Sequence, residues 1–201
     1  MTVAEHRIHE VTGTGLGPWL DGLGELRIRV FREYPYLYDG SLEYERAYLI
    51  TYQEARGALV VLVTDAEDKL VAATTCVPLS EAGAEFREPF DRAGIDVSKV
   101  LYLGESVALP EWRGKGFGQL FFDLREAHAR RLGLKMTAFC AVDRPPDHPM
   151  RPTGYRPLDG FWESRGYERR PELRAVLHWK EAGEADDTPK DLTFWLRSWT
   201  R

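Results

Sequence analysis

The chain has 201 residues, 43% of them hydrophobic and 29% charged, the make-up of a soluble globular protein able to bury a substantial core as a single domain over residues 1–201. A net charge of −5 argues against a general nucleic-acid binder, which would carry a basic face. No stretch has the length of a membrane span, the N-terminus lacks the charged head and apolar run of a secretory signal, and no Cys/His cluster has zinc spacing, so the expectation is a cytoplasmic protein with no metal and no membrane association.

His6 to Val11 alternates polar and apolar residues as a strand does. Thr12 to Gly17 reads as a turn, and Pro18 suits the first position of a helix whose stripe is Trp19, Leu23, Leu26 and Val30 and which must end before Pro35. Residues 31–40 form an aromatic and acidic segment that Pro35 and Gly40 keep irregular. Ser41 can cap a second helix, helped by Glu43 and Glu45 in its first turn, and Tyr44, Tyr48 and Tyr52 recur along it every four residues. Two readings of this region stand. Its tyrosines rim the core, or the segment and helix wall an acceptor pocket in which Tyr34, Tyr36 and Tyr38 give contact surface and Glu33 or Asp39 receives a cationic amine.

Ala58 to Thr64 and Leu70 to Val77 read as two antiparallel strands about the turn 65–69. Residues 78–99 are mixed, with Phe86, Phe90 and Ile95 spaced for one or two short helices; the length of this connection suggests a lid or pocket wall. Cys76 and Cys140 sit in apolar strand-like runs and read as buried thiols, although two cysteines could also pair.

Val100 to Leu109 is a strand that runs into Arg113-Gly114-Lys115-Gly116-Phe117-Gly118, followed by a helix with the stripe Phe117, Leu120, Phe121, Leu124 and Ala127. Gly133 can end that helix, and Leu134 to Val142 gives the next strand, so the unit is βαβ with a parallel pair. First-turn amides of a helix lack acceptors, glycines let a phosphate come close, and Arg113 and Lys115 add charge, so the junction suits an anionic group. The spacing is neither that of a P-loop, which needs Lys-Ser or Lys-Thr, nor the G-x-G-x-x-G of a dinucleotide site. Residues 143–155 are proline-rich and contain Asp147 and His148. Pro157 can open a short helix through Phe161 to Arg165 that Gly166 closes, with Tyr167 packing back on it. Strands at 173–180 and 192–199 flank the acidic turn 181–190.

Arg113-x-x-Gly116-x-Gly118, preceded by an apolar strand and Pro110-Glu111, resembles the acetyl-CoA motif of the GNAT superfamily of N-acetyltransferases, and Phe161-Trp162-Glu163-Ser164-Arg165-Gly166-Tyr167 looks like its later segment, commonly Tyr-Glu-x-x-Gly-Phe. The resemblance implies an α/β (α+β) fold: a mixed, mostly antiparallel sheet with a central parallel pair splayed at the cofactor site and helices around it. It implies that acetyl-CoA is a co-substrate, held by Val107, Leu109, Arg113, Gly114, Lys115, Gly116, Phe117 and Gly118, and that the acetyl group passes directly to a primary amine of a small molecule or peptide. A monomer or homodimer is expected. Where many members carry a tyrosine that protonates the leaving thiolate, this chain has Trp162, whose indole N–H is no acid near neutral pH; Tyr155 is the nearby alternative donor. Glu105, in the strand leading to the acetyl site, is the candidate proton acceptor, because an unpaired buried carboxylate is costly without a role; His148 is the second candidate, at the catalytic or acceptor side. The acceptor-side residues expected are Glu33, Tyr34, Tyr36, Tyr38, Asp39 and His148, with Arg144, Arg151 and Arg156 able instead to bind an acceptor carboxylate. The competing classes are a non-catalytic acyl-CoA-binding or sensing domain and a nucleotide-binding protein using the same turn.

Overall fold

The Leu-Val-Val-Leu-Val run of β2 (Leu59–Asp65) is apolar at consecutive positions, and both faces of that strand are buried. The computed structural model describes residues 5–199. In it β1 (His6–Val11), β2, β3 (Leu70–Pro78) and β4 (Val100–Ala108) form consecutive antiparallel pairs, β5 (Met136–Val142) lies parallel to β4, and β7 (Thr188–Ser198) enters between β5 and β6 (Glu168–Trp179). The resulting seven-stranded sheet, ordered β1-β2-β3-β4-β5-β7-β6, has one parallel pair, as the sequence led one to expect.

The helices cover this sheet. α1 (Leu20–Phe31) and α2 (Leu42–Glu54) pack on each other and on β3 and β4, and Ser41 Oγ accepts the Tyr44 amide at 3.3 Å as the N-cap of α2. α4 (Phe117–Arg131) connects β4 to β5 and packs across β2 to β5, and the short α5 (Asp159–Ser164) precedes β6.

Three expectations change. The stretch 78–99 is neither lid nor pocket wall: α3 (Ala84–Arg92) buries Phe86 against Tyr102, ring centroids 4.5 Å apart, and Phe90 against Phe194 at 4.9 Å, which closes the core over β6 and β7. β6 begins at Glu168 rather than Leu173, because an edge strand tolerates Pro171 within a register shift between Arg170 and Arg174. The buried face of α4 is rotated from the expected stripe and runs through Phe117, Phe121, Phe122, Arg125 and Ala129.

Candidate active site

β4 and β5 are paired only where Val100–Tyr102 lies beside Met136–Ala138. Beyond Tyr102 the two strands part, and a cavity of about 840 Å³ opens between them. Residues 103–108 of β4 and 139–142 of β5 form two of its walls, the glycine turn and the first turns of α4 a third, residues 33–36 a fourth, with Tyr155 and Trp162 at the far side.

The β4 wall is shaped by a bulge. Thr74 pairs with Ser106 but Cys76 with Leu103, so two residues of β4, Gly104 and Glu105, stand opposite Thr75 alone. Both then face α2: a Cβ on Gly104 would overlap the Tyr52 hydroxyl and Thr75 Oγ1, while Glu105 reaches Tyr48. Thr74 Oγ1 donates to the Glu105 carbonyl at 2.5 Å, and Arg125 Nη1, from α4, donates to the same carbonyl at 3.3 Å and to Thr75 O at 3.4 Å. Arg125 is buried, and burial lowers its pKa, yet its donors go to main-chain oxygens. Its spacing of four and eight residues from Phe121 and Phe117 was a readable signal, a charge set in an apolar stripe.

At the end of the cleft the glycine turn meets α4. Gly114 has φ +73° and Gly116 φ +88°, the left-handed region, and a Cβ on either would point into open space. Gly116 is the N-cap of α4 and has no side chain to cap with; the first helical bond runs from Leu120 N to Gly116 O at 3.1 Å, leaving the amides of Phe117, Gly118 and Gln119 without an intrahelical acceptor. The open glycine surface and these amides fit the diphosphate of coenzyme A. Arg113 lies beside them, but its guanidinium is engaged by Glu33 and by Ala108 O at 3.1 Å. Lys115 lies outside the cavity wall, its Nζ 4.0 Å from the centre of the Trp112 ring. Leu109 also faces away: it is buried, and its amide donates to Val71 O at 3.0 Å, so by strand alternation the backbone groups on the free edge of β4 are those of Ser106 and Ala108, which flank Val107, rather than those of Leu109.

Glu105 is 8% exposed and lines the cavity, and it is paired. Arg27 Nη1 lies 2.5 Å from its Oε1, while Arg27 Nε bonds Glu45, which is wholly buried on α2. The Arg27 guanidinium lies 4.3 Å from the Tyr48 ring centre and 5.1 Å from that of Phe31. Burial opposes its charge, but Glu105, Tyr48 and Glu45 together outweigh that and raise Arg27 well above the ordinary arginine value. The sequence reading passed over Arg27 and took Glu45 only as a first-turn acid of the second helix. Arg27 stands four residues after Leu23 on the buried side of α1, and Glu45 four before Leu49 on that of α2, so each was a charge on an apolar face. Gly24 makes the approach of the helices possible, since a Cβ there would lie 3.1 Å from that of Glu45.

The aromatic segment enters the cavity through Phe31, Glu33, Tyr34, Pro35 and Tyr36. Arg144 holds it there, with Nε donating to Pro35 O at 2.6 Å and Nη2 to Tyr36 O at 3.1 Å and to Glu181 at 2.5 Å; Trp179 Nε1 also donates to Tyr36 O at 3.1 Å. Arg144 is thus committed to the protein rather than free for an acceptor carboxylate. Tyr38 and Asp39 do not line the cavity. Burial, then the facing Glu45 carboxylate, raises Tyr38, and Asp39 pairs with Arg32 at 3.0 Å and Lys180 at 3.7 Å. His148 lies outside too: its ring stands 5.6 Å from that of Tyr34, and its Nδ1 accepts the Met150 amide at 3.2 Å. The tyrosines of α2 divide, Tyr44 exposed and Tyr52 in the core, and neither reaches the cavity.

On the far side, Trp162 packs against Phe139 at 5.0 Å and Trp195 at 5.1 Å. Tyr155 meets Tyr34 edge-on at 4.7 Å with Arg151 over its ring; burial, then Tyr34, raises its hydroxyl. Cys140 lines the cavity 3.3 Å from the Tyr102 hydroxyl, and burial pushes its thiol up to about 12. Cys76 is buried elsewhere in β3; both cysteines are free.

With its parallel strand pair opening onto a glycine-capped helix, the chain belongs to the acetyltransferase (GNAT) family, whose model matches residues 25–153. Solved structures share the fold. A protein of Acinetobacter baylyi assigned as an acetyltransferase is similar over 99% of this chain and 94% of its own, with TM-score 0.64 and 10% identity. A Salmonella typhimurium protein assigned as an acetyltransferase, solved with its cofactor acetyl-CoA, is similar over 96% and 93%, TM-score 0.58 and 12% identity. The paia N-acetyltransferase of Thermoplasma acidophilum, in complex with coenzyme A, is similar over 97% and 99%, TM-score 0.56 and 11% identity. At these identities the likeness speaks to the fold. No curated protein matches the sequence.

Proposed function

We propose that this acetyltransferase transfers the acetyl group of acetyl-CoA to a primary amine of a small molecule or peptide by direct attack in a ternary complex. The observation that carries the proposal is the joint placement, in one cleft, of the uncapped α4 N-terminus, the free edge of β4 around Val107, and the Glu105 carboxylate. Two solved neighbours hold acetyl-CoA and coenzyme A, which supports that ligand for the same cleft. When bound, acetyl-CoA supplies the activated thioester.

The chain's own residues divide the remaining work. The amides of Phe117 and Gly118 and the backbone of Gly114 and Gly116 would hold the diphosphate. Glu105 takes the proton that an alkylammonium, pKa ~10.4, must lose before its nitrogen can attack. Tyr155 keeps its proton at neutral pH and is the proton donor on the far side, where Trp162 cannot serve. Burial keeps the Cys140 thiol protonated and so a poor nucleophile, which favours transfer without a covalent enzyme intermediate.

The test is thiol release from acetyl-CoA against a panel of primary amines, amino acids and peptides. Release above background that requires the amine, and that Glu105→Gln lowers most at neutral pH and least at high pH, is the expected outcome. Trp162 at the usual tyrosine position favours a second reading, a non-catalytic acyl-CoA-binding domain. Binding of acetyl-CoA without amine-dependent release anywhere in the panel would select it, and preference for ATP or NAD over coenzyme A would dismiss both.

A further inference from the structure

A single buried ion pair between Arg27 and Glu105 would be electrically complete. This protein adds a third charge, Glu45, fully buried on α2 and with no access to the cleft. One guanidinium, that of Arg27, thus serves two carboxylates, while the nearest other cation, Arg125, spends its donors on main-chain oxygens. Such an arrangement is a poor way to gain stability, since every member is desolvated. It is a direct way to keep a carboxylate reactive.

We infer that Arg27 and Glu45 are positioning residues for Glu105: Arg27 fixes one carboxylate oxygen at the cavity wall, and Glu45 draws on the same guanidinium so that Glu105 retains the basicity a proton acceptor needs. The inference rests on the reading of Glu105 as that acceptor. The proton leaves the acceptor's ammonium nitrogen, crosses a water molecule and comes to rest on Glu105 Oε2, the oxygen that Arg27 does not hold.

The other groups facing Glu105 leave this balance in place. Tyr48 and Tyr52 from α2, and Tyr36 from the aromatic segment, are raised by burial and remain neutral. Arg125 from α4 is a second cation that attracts the Glu105 charge, but its donors end on main-chain carbonyls, among them that of Glu105 itself, and not on the carboxylate. From β3, Thr74 and Thr75 use their hydroxyls on the Glu105 backbone. Arg27 is thus the counter-ion at the carboxylate, and Glu45 is what divides its charge.

The experiment reads the protonation of Glu105 without any acceptor. Protein labelled with ¹³C at the glutamate carboxyl carbons is titrated by NMR, with the Glu105 signal identified by its loss in Glu105→Gln. Glu45→Gln, which preserves shape, lowers the Glu105 midpoint by about one pH unit, and Arg27→Gln raises it by at least about as much. Opposite shifts from two neighbouring variants are not what a purely structural role produces. Should one variant fail to fold, the other decides: a midpoint within about 0.2 unit of the parent overturns the inference, as do shifts in the same direction. Failure of the parent reading looks different. There the midpoints move as stated while Glu105→Gln leaves neutral-pH turnover unchanged, so the tuning stands and the proton acceptor lies elsewhere.

Discussion

Arg113 grips both carboxylate oxygens of Glu33, Nη1 to Oε2 at 2.8 Å and Nη2 to Oε1 at 3.1 Å, and so ties the aromatic segment to the glycine turn. The sequence placed the two on different ligands, the arginine on a diphosphate and the glutamate on an amine. Both side chains are nearly half exposed, at 45% and 43%, so the pair adds under about 1 kcal/mol to stability. Its effect falls on ligand binding. Glu33→Gln removes a negative charge beside the turn and releases the guanidinium, so acetyl-CoA should bind up to about fivefold tighter, ~1 kcal/mol, by titration calorimetry at low salt. Added salt should shrink the gain, and Arg113→Gln should weaken binding. Unchanged affinity in both variants would mean that Arg113 never meets the phosphates.

Gly116 carries a second expectation. At φ +88° any other residue is strained by about 1–2 kcal/mol, and its Cβ would meet open space at a residue that lines the cavity. Gly116→Ala should therefore lower the thermal midpoint by a few degrees and weaken acetyl-CoA binding, while Gly116→Asp should abolish binding through charge repulsion. A folded aspartate variant of parental affinity would refute the phosphate site.

The β4 bulge can be probed at Gly104. Gly104→Ala sets a methyl group against the Tyr52 hydroxyl and Thr75 Oγ1, an overpacking worth about 1–3 kcal/mol in urea unfolding. Tyr52→Phe in the same chain removes one of the two overlapping atoms and should restore part of the loss. Strict additivity of the two changes would show that the hydroxyl is not the obstacle.

How much of this was legible follows from range. The Ser41 cap, the β2–β3 hairpin and the glycine turn are written in neighbouring residues, and local rules located each of them. The resemblance of one turn and one later segment carried the sheet topology, and the parallel pair followed from a strand, helix and strand in sequence. The Arg27–Glu45–Glu105 cluster joins α1, α2 and β4 and depends on how two helices lie against a bulged strand, which no single window displays. The acceptor side failed for a related reason. Its composition named aromatic and acidic residues, but which of them turn inward is set by Arg144, more than a hundred residues away, and it admits Tyr34 and Tyr36 while leaving Tyr38 and Asp39 outside.

Both thiols predict an alkaline weakness. Burial raises Cys76 and Cys140 from the ordinary value of 9.0 to about 12, so in this interval the native state keeps protons that the unfolded chain has lost. More protons on the native state means that stability is intact below about pH 9 and falls as pH rises toward about 12. Urea midpoints should be flat from pH 7 to 8.5 and decline by pH 10.5, and Cys76→Ala should reduce the slope. Iodoacetamide at pH 7.5 should leave activity untouched, and rapid inactivation would show that Cys140 is ionised and accessible.

The clamp that Arg144 places on Pro35 and Tyr36 is itself anchored to Glu181, in the turn between β6 and β7 that also binds the segment through the Ala182 amide and Leu37 carbonyl at 2.8 Å. The turn therefore sets from a distance where Pro35 and Tyr36 stand in the cavity wall. Under the proposed function, drift at Glu181 would shift that wall while the glycine turn and the bulged strand stay as they are, so two descendants of this protein could part in acceptor without differing at any residue their ligands touch.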